Sequence, residues 1–358
     1  MREDLPYWLA LLRFRKFGPV KFQRLQRHFK TMREAFFASA EEFAQAEIEP
    51  DLARMFISER ATISPEQELA RIEKHGVRAV LITDNEYPPL LKTIYDPPPI
   101  LFVRGALPSA ARRHIAIVGS REPTPYGRRA ARLFARALAE SGSVIVSGLA
   151  YGIDAEAHEA TLEVKGTTIA ILAGGIEDNS IYPSQHRYLA SRIIHTGGAV
   201  ISEFPVGTAS LRQHFPFRNR VIAGLCEGTL VIEAAEKSGS LITARSALES
   251  GREVYAVPGP IDSPLSEGPN NLIKMGATPA TKPEDLGVTS SAKTKPLPVF
   301  GSKEEETIFT HLSNEPKHVD DLVAEAALAT ATATRTLTLM EMKGLAKHVG
   351  GLFYIRSL

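Results

Sequence analysis

The chain's most unusual run is Arg212-Gln213-His214-Phe215-Pro216-Phe217-Arg218-Asn219-Arg220, in which three arginines are interleaved with two phenylalanines. Basic side chains track phosphates, and aromatic faces stack on unpaired bases at about 1–3 kcal/mol per base. That chemistry suits a single-stranded nucleic acid. The plainer alternative puts one phenylalanine in the core and the arginines in ion pairs.

A second run, Ile115-Ala116-Ile117-Val118-Gly119-Ser120-Arg121, ends an apolar strand in Gly at the mouth of a helix. Such a turn leaves backbone N–H groups free to meet an anion. Arg121 stands where a G-x-G-x-x-G turn has its second glycine, which argues against a dinucleotide. Its planar guanidinium instead suits a pair of phosphate oxygens, unless an ion pair claims it.

Glu233-Ala234-Ala235-Glu236-Lys237-Ser238-Gly239-Ser240 is another small-residue loop leading into a helix, fit for a phosphate. In Ser147-Gly148-Leu149-Ala150-Tyr151-Gly152-Ile153-Asp154, followed by His158, Asp154 is placed to cap a helix. A catalytic Ser/Asp/His set competes there with simple capping and packing, and no G-x-S-x-G elbow is present. Leu172-Ala173-Gly174-Gly175 reads as a tight turn at a strand end, and Asn270-Asn271 as the cap of a helix starting at Leu272.

The elements that position these residues read as strands alternating with helices. Apolar runs cover Val77–Thr83, Ile100–Val103, His114–Val118, Ser143–Val146, Thr168–Leu172, Ala199–Ile201, Thr229–Ile232 and Glu253–Val257. Several are apolar throughout, as strands covered on both faces should be. The pattern predicts an α/β fold, a Rossmann-like doubly wound, mainly parallel sheet whose carboxyl strand ends share one crevice. After His114–Val118, the spacing predicts an amphipathic helix with Ala130, Leu133, Phe134, Ala137 and Leu138 inside and Arg128, Arg132 and Arg136 outside.

Residues 1–63 read as a basic helical domain, broken by Gly18-Pro19, and 64–280 as the sheet domain. Residues 281–303 read as a Pro-, Ser-, Thr- and Lys-rich linker. Residues 304–358 show three helices and a hairpin at Gly350-Gly351, a winged-helix pattern.

The net charge is +1, from 42 Lys and Arg against 41 Asp and Glu, so the whole-chain balance gives a nucleic-acid binder little support. Basic charge is concentrated locally, from Arg112 to Arg136. Cys226 is the one cysteine, so an intrachain disulfide and a cysteine metal cluster are both excluded. The first residues lack the apolar core of a signal peptide, and no run approaches the roughly 20 residues of a membrane span. A cytoplasmic location is expected.

In this order, the motifs resemble those of the DNA-processing protein A (DprA/Smf) family. The matching features are Tyr87-Pro88, Asp96-Pro97-Pro98, Gly119-Ser120-Arg121, Ser147-Gly148-Leu149-Ala150, Gly152-Ile153-Asp154 and Ser202-Glu203-Phe204. They continue through Phe215-Pro216-Phe217-Arg218-Asn219-Arg220, Ser238 to Thr243 and Val257-Pro258-Gly259.

The resemblance implies a homodimeric single-stranded DNA binder that protects incoming strands and loads the recombinase RecA in natural transformation. Family members are not known as enzymes, and no cofactor or metal is expected. Arg121, Arg212 and Phe215 match residues that line the family's single-strand pocket. Gly119, Ser120, Arg218, Asn219, Arg220, Lys237, Ser238 and Ser240 complete the expected DNA site. The N-terminal helices look like the family's sterile-alpha-motif (SAM-like) extension, and the C-terminal segment is similar to its winged-helix domain.

A different reading is a lysine-decarboxylase-like nucleotide phosphoribohydrolase. Glu227-Gly228-Thr229 with Glu233 faintly echoes that class's Gly-Gly-x-Gly-Thr-x-x-Glu loop, without its Pro-Gly-Gly start and at a different spacing. For the C-terminal helix Ala331–Lys343, duplex reading competes with protein binding, because Arg335 and Lys343 are its only basic residues.

Overall fold

The computed structural model describes residues 2–288, 300–313 and 315–356. They fall into two compact units, 1–290 and 291–358.

The first unit begins with five short helices: α1 (Leu5–Arg13), α2 (Pro19–His28), α3 (Met32–Phe37), α4 (Ala40–Gln45) and α5 (Pro50–Glu59). Local chemistry sets their ends. Proline occupies the first turn of α1, α2 and α5, where its missing N–H costs nothing. Thr31 caps α3, and Ser39 forms a capping box with Glu42 on α4. Phe14, Phe17, Phe43 and Phe56 pack edge to face or tilted at their centre. These apolar residues join the same buried cluster as one face of the sheet. The boundary expected at residue 63 is therefore not a break between compact bodies.

Helix α6 (Pro65–Lys74) then leads into a nine-stranded sheet. The strands are β1 (Arg78–Leu81), β2 (Ile100–Gly105), β3 (His114–Val118), β4 (Val144–Ser147), β5 (Thr167–Leu172), β6 (Ala199–Ser202), β7 (Gly228–Val231), β8 (Glu253–Ala256) and β9 (Thr278–Pro279). Their order is β1-β2-β6-β5-β4-β3-β7-β8-β9. The seven strands from β6 to β9 in that order run parallel, while β1 and β2 are added antiparallel at one edge. This is the expected doubly wound, mainly parallel sheet. The short β9 had no apolar run to announce it.

Between these strands lie α7 (Pro89–Lys92), α8 (Pro125–Glu140), α9 (Ile153–Glu163), α10 (Arg187–His195), α11 (His214–Gly224), α12 (Gly239–Glu249) and α13 (Glu267–Lys274). Alternation along β3 sends Ile115 and Ile117 to the cluster under α8 and α9, and Ala116 and Val118 to the opposite one. Helix α8 is rotated from the expected stripe. Its buried face is Ala130, Ala131, Phe134, Ala135, Leu138 and Ala139, whereas Leu133 is exposed. The rotation turns Arg128, Arg132 and Arg136 toward Glu156 and Glu163 of α9.

Helix α13 starts at Glu267, so Asn270 is not its cap; the Asn270 side chain instead exchanges hydrogen bonds with the backbone of Gly259. The expected linker also starts later than residue 281. Leu286 and Val288 are buried in the α8 cluster, and Arg113 bonds the Leu286 carbonyl. Residues 289–299 of that linker lie outside the described residues.

The second unit contains α14 (Lys303–His311), α15 (Val319–Ala326) and α16 (Thr330–Met342), with β10 (Lys317–His318), β11 (Ala346–Gly350) and β12 (Phe353–Arg356) in the order β10-β12-β11. Ile308, Leu322, Leu337 and Met340 form its core. This matches the expected winged-helix pattern, with β10 as an added short strand.

Candidate nucleic-acid interface

The chain winds from β3 through β4 and β5 to β6 on one side, then returns to place β7, β8 and β9 on the other. The strand order thus reverses between β3 and β7. Ligands of open α/β sheets bind outside the carboxyl strand ends at such a point. A cavity of about 180 Å³ lies there, and residues from four strand ends enclose it. Gly119 and Arg121 follow β3, Ala150 and Asp154 follow β4, Phe215, Arg218 and Asn219 come from α11 after β6, and Ser238 and Ser240 follow β7.

Close packing explains the glycines. A side chain at Gly119 would meet Ile153 Cγ1 at 2.7 Å, and one at Gly148 would overlap Arg218 Nη1 at 1.8 Å. Gly148 is therefore what admits the Arg218 guanidinium.

Arg218 is only 4% exposed. Its Nη1 donates to the carbonyls of Gly148 (2.5 Å) and Ile171 (2.8 Å), and its Nε to Asn219 Oδ1 (3.0 Å). Asn219 passes the linkage on by donating to the Gly239 carbonyl at 3.0 Å. Nη2 has no hydrogen-bond partner among the described residues, and none of their carboxylates lies within ion-pair distance of this guanidinium. Burial pulls the Arg218 pKa down to about 10, against an opposing pull from Asp154. Asp154 only partly offsets the cost of burying a cation that has no direct ion pair, so an anion arriving in the cavity would stabilise it further.

Asp154 is the acidic member of the cavity, and the sequence reading gave it another role. It does not cap α9; its Oδ2 accepts from Gly148 N (3.1 Å) and Ala150 N (3.3 Å), fixing the loop before the helix. Burial raises its pKa, with Arg218 pulling the other way. His158 is fully buried, with Nδ1 2.7 Å from Thr168 Oγ1, and burial lowers its pKa to about 3. The two side chains share no hydrogen bond, so packing, not a catalytic set, accounts for them. Gly174 likewise has a structural task, its carbonyl accepting from Ser202 Oγ at 2.6 Å.

The other expected site residues separate by position. Arg121 is exposed, with its guanidinium 5.0 Å from the centroid of the half-buried Phe215 ring, and Arg218 stands 5.6 Å from the same ring. Ser238 caps α12 by accepting from Ser240 N. Ser120, Arg212 and Lys237 do not line the cavity. Ser120 accepts from Glu122 N, while Arg212 and Lys237 are exposed and have no carboxylate within 4 Å among the described residues.

Arg220 corrects the expectation. It points to the opposite side of α11, bonding the Asp96 carbonyl at 2.6 Å and the Glu203 carboxylate, with Asp96 Oδ2 at 3.2 Å. A half-turn along the helix separates Arg218 from Arg220, so the two cannot face the same cavity. Burial pushes Glu203 up to about 7 despite Arg220, and Asp96 adds to the rise.

The glutamate of the phosphoribohydrolase reading is also occupied. Glu233 is 2% exposed and accepts from both the backbone N and the hydroxyl of Thr124, the cap of α8. Glu227 pairs with Arg113. No cluster of His, Cys, Asp and Glu suited to a metal occurs among the described residues. None of the described helices is long and apolar enough to cross a membrane.

Comparison with known proteins places these features in a family. The family model described as DNA recombination-mediator protein A matches residues 78–290, and a model for the DprA winged helix domain matches residues 288–351. Protein Smf of Escherichia coli is 48% identical over 223 residues, 62% of this chain and 59% of that protein's length. DNA processing protein DprA of Bacillus subtilis is 44% identical over 219 residues, 61% of this chain and 73% of that one. The crystal structure of DNA processing protein A from Streptococcus pneumoniae superposes with a TM-score of 0.61 at 36% identity, covering 69% of this chain and 84% of that one. The protein of the same name from Helicobacter pylori, described for its single-stranded DNA binding mode, gives a TM-score of 0.52 at 28% identity, covering 59% of this chain and 93% of that one. Sequence motifs, sheet topology and family models agree, and the chain belongs to the DNA-processing protein A (DprA/Smf) family.

Proposed function

We propose that this protein binds single-stranded DNA across the β3–β7 crevice and acts as a recombination mediator. The observation that carries the reading is the buried Arg218 guanidinium. It lines a cavity with Arg121, Phe215 and the start of α12, and among the described residues it forms no direct ion pair, Asp154 in the same cavity acting on it only at longer range. A backbone phosphate fits this seat, held by Arg218, by the backbone turn after Gly119 and by Arg121 from the rim. Asn219 and Ser240 shape the seat, and Ser120 braces the turn beside it through Glu122 N. Arg212 and Lys237, exposed outside it, continue the track to flanking phosphates. Arg220 has no part in it.

The H. pylori relative's described binding mode and the family model's name support the same reading. Its further steps follow from the family: protection of incoming strands, loading of RecA during natural transformation, action as a homodimer, a cytoplasmic setting and no enzymatic reaction. In the C-terminal unit, Lys343 is tied to Glu305 at 2.6 Å, leaving Arg335 as the cation of α16. Leu339 and Met342 are exposed on that helix, which favours a protein partner over duplex reading.

The test is a competition of single-stranded against duplex DNA for the purified chain, across a salt series. With about four phosphates contacted, log K for single strands falls against log salt with a slope near −3. A preference for duplex, or a slope near zero, would overturn the reading. RecA loading is checked separately, by filament assembly on strands coated with single-strand-binding protein.

A further inference from the structure

Phe215 has the composition of a stacking residue but not the free surface of one. Its ring is half-buried, and the guanidiniums of Arg121 and Arg218 already lie 5.0 and 5.6 Å from its centroid. A base stacking there must compete with two cations for the same ring.

A small crevice of about 10 Å³, too small to enclose a base, adjoins the cavity. It shares Arg121 and Phe215 with the cavity and adds Tyr151, Tyr182 and Pro183. Tyr182 is 52% exposed and Tyr151 39%. The Tyr182 ring meets Phe215 edge-on, with centroids 6.2 Å apart and planes at 69°. Despite that contact, about half of the Tyr182 surface remains exposed. Tyr151 is steadied from behind: its hydroxyl donates to Gln185 Oε1 at 2.6 Å, and its ring packs against His186 at 5.0 Å. His186 is fixed in turn, with Nδ1 2.8 Å from the Leu149 carbonyl. A single exposed aromatic on a surface needs no explanation. Two that converge on one crevice, beside an arginine with no carboxylate partner among the described residues, do.

We infer that Tyr182, with Tyr151 beside it, is the nucleobase platform of this site, and that Phe215 serves mainly to hold Arg121 over the cavity. This rests on the single-strand reading above. The ligand class is an unpaired nucleobase, of any sequence, because every base has a π-face. The base belongs to a nucleotide adjoining the phosphate seated at Arg218.

The test compares Tyr182→Ala, Tyr182→Phe and Arg121→Ala for single-strand affinity across a salt series. Tyr182→Ala is expected to weaken binding roughly 5- to 100-fold while leaving the salt slope unchanged, because a stacking residue neutralises no phosphate. Tyr182→Phe keeps the ring and the affinity. Arg121→Ala lowers both affinity and slope. Photo-cross-linking of the unmutated chain to an oligonucleotide carrying 5-iododeoxyuridine should join the base to Tyr182 or Tyr151. Tyr182→Ala binding within about twofold of the unmutated chain, or cross-links confined to Phe215, would overturn the platform while Arg121→Ala still confirmed the site. Failure of the unmutated chain to bind single strands would overturn the underlying reading, and the platform with it.

Discussion

Two stretches of this chain are rich in arginine, 112–136 and 212–220, and the fold treats them differently. Along α8, Arg128, Arg132 and Arg136 lie opposite the carboxylates of α9, while Arg129 is exposed with no carboxylate within 4 Å among the described residues. Arg128 meets Glu156 at 2.9 Å, Arg132 meets both Glu156 and Glu163, and Arg136 meets Glu163. Ahead of the helix, Arg113 is matched to Glu227. In the stretch 212–220, at and just before α11, the arginines diverge. Arg212 stays exposed, Arg218 enters the interior against carbonyl oxygens, and Arg220 enters it against carboxylates. Nucleic-acid affinity depends on cations that remain unneutralised, not on the number of arginines. By that criterion Arg121, just before α8, groups with Arg212.

The most damaging way to probe this contrast is Arg218→Ala. It leaves the Gly148 and Ile171 carbonyls short of a donor and Asp154 buried without its nearby cation. We expect a loss of about 3–5 kcal/mol in urea unfolding, together with loss of DNA binding. On the α8 side, Arg132→Ala breaks two partly exposed pairs and should cost no more than about 1 kcal/mol. Equal costs for the two variants would erase the contrast.

Arg121→Ala separates binding from stability. Folding should change by less than about 0.5 kcal/mol, while the salt slope for single strands drops by about 0.7. Arg136→Ala, by contrast, should leave affinity and slope unaltered, because Glu163 already neutralises that charge. A slope change equal to that of Arg121→Ala would show that α8 also carries the strand.

Arg220 supplies a pH signature through its carboxylate partner. Its partner Glu203 sits near 7 in the folded chain, above the ordinary value of 4.5. Between those values the folded protein keeps a proton that the unfolded chain has released. Stability from this group is therefore greatest at low pH and declines as pH rises toward 7. Glu203→Gln should flatten that part of the decline, as read from urea midpoints at about pH 5 and about pH 8. An unchanged decline would mean that Glu203 is ionised throughout.

Much of the architecture was legible because it rests on local rules. The run Ile115–Val118 is apolar on both alternations, which marks a strand covered on two faces, and Gly119 after it marks the turn. The doubly wound order then follows from strand–helix repetition, and with it the crevice. The rotation of α8 was not legible. Alanines at 130, 131, 135 and 139 pack well on either side of the expected stripe, so helical period alone did not choose between Leu133 and Ala135. Asp154 was visible as a polar residue at a helix start, but its bonds run backward to Gly148 and Ala150, a loop conformation that periodicity does not encode.

The sequence by itself determined the family, the parallel sheet, the Gly- and Ser-rich strand ends and the concentration of arginine with phenylalanine. Only the tertiary structure decided which arginines are free. Arg218 and Arg220 stand two residues apart, with the same chemistry and nearly the same neighbours in the chain. Two residues advance a helix by about 200°, so one side chain enters the cavity and the other the Glu203 pair. Glu203, Glu156 and Glu163 lie 17, 28 and 31 residues from Arg220, Arg128 and Arg132, which they hold. That pairing depends on how separate elements pack against one another on the sheet, and no local spacing records it.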